Sequence, residues 1–177
     1  IMKATINNFE IDLSKPIDIS IPITNDEQNP IAWYQNAPEI NPVVMGDWIG
    51  KVSEGKSSTN FNNLFFNPHA HGTHTECLGH ITKAFYSINQ CLQQFFFWAT
   101  LISVKKEKVG EDLVISKSQI EKALQSVDNS EIKSEAIVIR TLPNEASKKS
   151  LKYSNTNPPF LSEEAALFLR KSRIQHL

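Results

Sequence analysis

The chain has 177 residues, 40% of them hydrophobic, which is enough for one domain with a core of its own. Lys+Arg 18 against Asp+Glu 19 gives a formal net charge of -1, so the charge balance offers no case for a nucleic-acid partner. Two cysteines make no disulfide framework and fit a reducing compartment as well as any other, the start Ile1-Met2-Lys3-Ala4 lacks the basic-then-apolar pattern of a secretory signal, and a cytoplasmic setting is the expectation.

In chain order, apolar runs with β-branched or aromatic residues predict strands at residues 18–21, 63–66, 97–104 and 136–139. The longest apolar run, residues 95–104, is about half the length needed to cross a bilayer. It reads as a buried strand, and no membrane partner is expected. The polar stretch 50–63 reads as a surface loop that can cover a site. Two helices are legible. Ser118-Gln119-Ile120-Glu121 has capping-box spacing and leads into Ala123-Leu124, while Ser162 can cap a helix whose Ala166, Leu167, Phe168 and Leu169 give a core face. The last residues, 174–177, read as a strand that places His176 in an apolar setting. Together these elements predict a mixed α/β fold in a single domain spanning residues 1–177.

Chemistry concentrates in residues 67–80, Asn-Pro-His-Ala-His-Gly-Thr-His-Thr-Glu-Cys-Leu-Gly-His, which hold four of the five histidines and a carboxylate. Neutral imidazole and carboxylate are preferred ligands of zinc and neighbouring divalent ions. If residues 74–76 are extended, His74 and Glu76 project from one face about 7 Å apart and can share one ion. On the same reasoning His69 and His71 form a second pair, and Gly72 and Gly79 supply turns between ligands. Other metal motifs fail on spacing. Glu76 lies two residues after His74 and the next histidine is His80, so the His-Glu-x-x-His of zinc proteases is absent. His74-Thr75-Glu76 matches the first half of a nucleobase deaminase motif, but Cys77 and Cys91 do not make the Pro-Cys-x-x-Cys that completes it.

The segment resembles the His-x-Gly-Thr-His-x-Asp-x-Pro-x-His signature of the cyclase family, which includes bacterial kynurenine formamidase. Gly72, Thr73, His74 and His80 match in register. Residues 17–23 look like that family's opening strand, Trp33 stands where an aromatic lines its substrate pocket, Ile139-Arg140-Thr141 looks like its Leu-Arg-Thr strand, and residues 161–166 look like its late helix. The family's first histidine falls here on Ala70, its aspartate on Glu76 and its proline on Leu78. His69 or His71 would then supply the missing ligand, in a divergent branch.

The resemblance implies a swivelling β/β/α arrangement with a mixed sheet, a homo-oligomer, and a small-molecule substrate. The family carries a further histidine and glutamate of its site downstream of the segments matched here; either those residues lie in a part of the protein absent from this chain, or this protein does without them. The implied activity is metal-dependent hydrolysis of an amide or cyclic amide C–N bond, of the arylformamidase type, with N-formylkynurenine of tryptophan catabolism as the substrate class. The implied metal is zinc, or alternatively manganese, held by His69, His71, His74, Glu76 and His80. His80 is the candidate general base and acid, with a fourth ligand position as its alternative, and Glu76 either binds the ion or activates water. Thr73 is expected to fix the loop through its hydroxyl and Cys77 to pack as a small apolar residue. The competing function is a catalytically silent member that binds a metal or a small ligand.

Overall fold

A computed structural model describes residues 2–127 and 133–177. Its elements run β1 Lys3–Ile6, β2 Phe9–Asp12, β3 Glu39–Pro42, β4 Val44–Met45, β5 Trp48–Ile49, β6 Asn62–Phe65, α1 Pro68–His71, α2 Ile88–Cys91 and β7 Ala99–Lys105. They continue with β8 Glu107–Val109, β9 Asp112–Ile115, α3 Lys117–Val127, β10 Ala136–Leu142, β11 Phe160–Leu161 and α4 Glu163–Lys171. The class is α/β, as expected. The chain divides into two compact units, one of Ile1–Asp18, Glu76–Asn144 and Asn157–Leu177, the other of Ile19–Thr75 and Glu145–Thr156.

The first unit holds the apolar core. β7 and β10 pair in parallel from Ala136 opposite Ala99 to Leu142 opposite Lys105, and α3 lies between them in the chain. Alternation along β7 turns Ile102 and Val104 inward, where they meet Ile115, Ile120, Ile137, Ala165 and Leu169. β9 carries β8 on one side, antiparallel, and β11 on the other, parallel, so this small sheet is mixed. β7 starts at Ala99 and not at residue 97; its ladder with β10 begins at Ala136 opposite Ala99, and just ahead of it the Glu135 and Ala136 N–H groups both donate to Trp98 O. Phe95 and Phe96 accordingly lie outside the sheet and are exposed.

Both long helices form with capping. The α3 box is Ser116 with Gln119, since the Ser116 Oγ accepts from the Gln119 N–H at 3.4 Å and the Gln119 Oε1 from the Ser116 N–H at 3.0 Å. It stands two residues before the expected Ser118–Glu121 pair. Ser162 caps α4 as predicted, its hydroxyl accepting from the Ala165 N–H at 3.1 Å. The buried face of α4 is Ala165 and Leu169, with Phe168 half-buried, a spacing of three and four. Leu167 stays exposed. Ile174–Gln175 runs beside β10 instead of adding a full strand. The Gln175 N–H donates to Glu135 O, the Ile137 N–H to His176 O, and the His176 ring stacks on Phe97 at 4.9 Å.

The second unit is centred on residues 29–32. Ile31 bridges Lys152, the Tyr153 N–H donates to Ile31 O, and the Ala32 N–H donates to Ala70 O in α1. Asn29, 1% exposed, fastens this segment, accepting from the Thr24 N–H at 2.9 Å and donating to His71 O at 2.9 Å. Residues 18–21 form no strand, although the Ile21 N–H reaches the Thr73 hydroxyl at 3.4 Å. The antiparallel pair β3 and β6 brings Glu39 opposite Phe65 just ahead of the histidine segment.

Candidate metal centre

α1 is a single turn built by its first two residues. The Asn67 side chain accepts from the His69 N–H at 3.0 Å, and Pro68 at the first helical position needs no N–H partner. That turn changes which histidines can meet. Residues two apart on a helix are rotated about 200° from each other, so His69 and His71 leave on different sides instead of one.

His71 turns inward and is 3% exposed. Its Nδ1 accepts from the Asn67 N–H at 2.9 Å, which puts the ring proton on Nε2, and Nε2 donates to Asn36 O at 2.8 Å. Neither nitrogen can reach an ion without giving up a buried hydrogen bond. The structure thus places His71 as a bracket between α1 and residues 35–37.

His69 turns the other way and joins His74 and Glu76. One donor atom from each of these three lies within 4.8 Å of the other two. The His69 and His74 rings meet edge to face at 4.9 Å. His74 Nδ1 is 2.9 Å from Gly72 O, and because a carbonyl only accepts, the proton is on Nδ1 and the lone pair on Nε2. This is the arrangement a metal-binding histidine requires, with its second nitrogen tied to the backbone. Gly72 itself is extended, φ -160° and ψ 172°, so the turn between the ligands comes from α1 and not from a glycine-only conformation.

His80 lies beside this group. Its Nε2 is 3.8 Å from Glu76 Oε2, and both side chains are about half exposed. The 3-10 turn Leu78–His80 is pressed against residue 86, since a Cβ on Gly79 would stand 2.5 Å from Tyr86 O. The Cys77 thiol donates to the same carbonyl at 3.4 Å. Gly79 is thus needed for close approach.

A cleft of about 360 Å³ opens on the His69 side, lined among others by Asn36, Glu39, Phe65, Asn67, His69 and His71. Trp33 is not among its lining residues, although Gln35 is. Trp33 and Tyr34 are exposed and both have positive φ, 54° and 56°, held by the Tyr34 hydroxyl on Asn155 at 2.6 Å and the Tyr34 N–H on Ser154 Oγ at 2.9 Å. Sequence reasoning did not find Glu39, Asn67 or Asn29. The Asn-Pro start of α1 was a readable signal for Asn67.

Two imidazoles and a carboxylate make a mixed nitrogen and oxygen set that fits zinc or manganese and leaves coordination positions for water or substrate. The fold and this group define an α/β protein positioned to hold a divalent metal ion. Residues 11–177 match the family model described as "Putative cyclase", and the chain belongs to that family. The chain matches no curated protein and no solved structure. Among the described residues no helix is long and apolar enough to cross a membrane.

Proposed function

We propose that this protein is a metal-dependent hydrolase of amide C–N bonds, of the arylformamidase type. The observation that carries the reading is the convergence of His69, His74 and Glu76 within 4.8 Å in a chain of the cyclase family. His69, His74 and Glu76 would hold a divalent cation, which would supply polarisation of the amide carbonyl and a lowered pKa for water. The chain supplies the rest. His80, 3.8 Å from Glu76, takes the proton that water loses on attacking the carbonyl and returns it to the departing nitrogen. The cleft beside His69 is of small-molecule size and receives the substrate.

N-formylkynurenine represents the substrate class. Exposed apolar side chains on the first unit, among them Ile81, Phe85, Phe95 and Phe96, support a homo-oligomer, and two free thiols support a cytoplasmic setting. The silent binding member is favoured by one observation, the absence of any donor at Ala70, which is buried in α1.

Elemental analysis of untagged protein, with formamidase turnover measured before and after chelation, separates the two. Bound zinc or manganese with chelator-sensitive turnover supports the hydrolase. Metal bound tightly with no turnover on any formamide supports the silent member.

A further inference from the structure

The cleft beside His69 carries a carboxylate that amide hydrolysis does not use. Glu39 and Phe65 both line it and are direct partners across the β3–β6 pair. Direct partners stand on the same face with Cβ atoms about 5 Å apart, so the carboxylate and the ring meet the cleft side by side. Glu39 accepts from the Asn41 amide at 3.2 Å, and among the described residues no Lys, Arg or His pairs with it. A carboxylate gives an organic ammonium a charge-assisted hydrogen bond, and an adjacent aromatic face gives it a cation–π contact.

We propose that Glu39 and Phe65 recognise a cationic nitrogen on the substrate, so that the site selects amides bearing an ammonium group. The inference deepens the hydrolase reading and rests on it. The volume near 360 Å³ suits a single-ring amide, and His69 and Glu39 both line this cleft. Both recognition contacts are partly solvated, so the expected preference is about tenfold.

The test compares 4-(aminomethyl)formanilide, cationic at neutral pH, with neutral 4-(hydroxymethyl)formanilide on the zinc-loaded protein. Wild type is expected to favour the cationic probe about tenfold in kcat/KM, and Glu39→Gln and Phe65→Leu to bring the ratio towards one. Glu145→Gln, which removes the same charge away from the cleft, is expected to keep the wild-type ratio. Equal use of both probes by wild type, or an unchanged ratio in Glu39→Gln, overturns the inference while leaving the hydrolase standing. If neither probe is turned over, their dissociation constants from ligand-observed NMR decide. A cationic preference that Glu39→Gln abolishes supports the recognition site and sinks the hydrolase reading alone, whereas equal affinities sink the recognition site.

Discussion

His71 and His74 are three residues apart and chemically identical, yet replacing each with alanine should fail in opposite ways. His71→Ala removes a side chain that is 3% exposed and leaves two backbone groups, the Asn67 N–H and Asn36 O, without their partners. Each unmatched buried group costs about 1–3 kcal/mol, so the expected loss of stability is about 4 kcal/mol. With a urea slope of about 2 kcal/mol/M the unfolding midpoint falls by about 2 M. His74→Ala removes an exposed ring and should change metal-free stability by less than about 0.5 kcal/mol. Zinc reverses the ranking. At about 100 times its dissociation constant, zinc adds about 2.7 kcal/mol to a protein that binds it only when folded. Wild type and His71→Ala should show that increment, and His74→Ala should not. Urea titrations of the three proteins with chelator and with zinc measure both stability changes and the three zinc increments. A zinc increment that survives in His74→Ala but vanishes in folded His71→Ala would refute the ligand assignment drawn from the two hydrogen-bond patterns.

His80→Ala should keep bound zinc at the wild-type stoichiometry and lose about 100-fold or more in kcat; metal lost in parallel with activity would move His80 from proton carrier to ligand. Gly79→Ala should cost about 1–3 kcal/mol and weaken zinc binding, because the new Cβ meets a backbone oxygen at 2.5 Å, and an unchanged unfolding midpoint would contradict that contact. Ile120→Ala, at a fully buried position of α3, should cost about 3 kcal/mol with zinc affinity kept, which calorimetric titration of the folded variant checks.

The first unit was legible where local chemistry and packing agree. α4 has its cap and β10 its β-branched run, and both formed within a few residues of the expected bounds. Strand limits were not legible where they depend on a partner: nothing in Phe95-Phe96-Phe97 says that Ala136 begins opposite Ala99. The hairpin β1–β2 was missed even though its turn is Asn7-Asn8, two residues that tolerate the positive φ of 48° and 66° they adopt. Asn29 was invisible for a different reason. Its worth lies in backbone groups of residues 24, 30 and 71, and no spacing rule relates those positions.

The departure at Ala70 shows how the site was both readable and misread. An extended segment has a period of two, which paired His69 with His71 and made either a substitute for the family's first ligand. A helix turns about 100° per residue, so a shift of one position moves a side chain from one face to another. Position 70 is on the buried face, 5% exposed, with its carbonyl taken by the Ala32 N–H. An imidazole there would have to displace that packing before it met an ion. Position 69 is already outside, its ring 4.9 Å from His74. The turn of α1 thus makes position 69, and not 70, the one exposed beside His74, and Asn67, which caps the turn and supplies the N–H that holds His71, keeps the two histidines on separate sides.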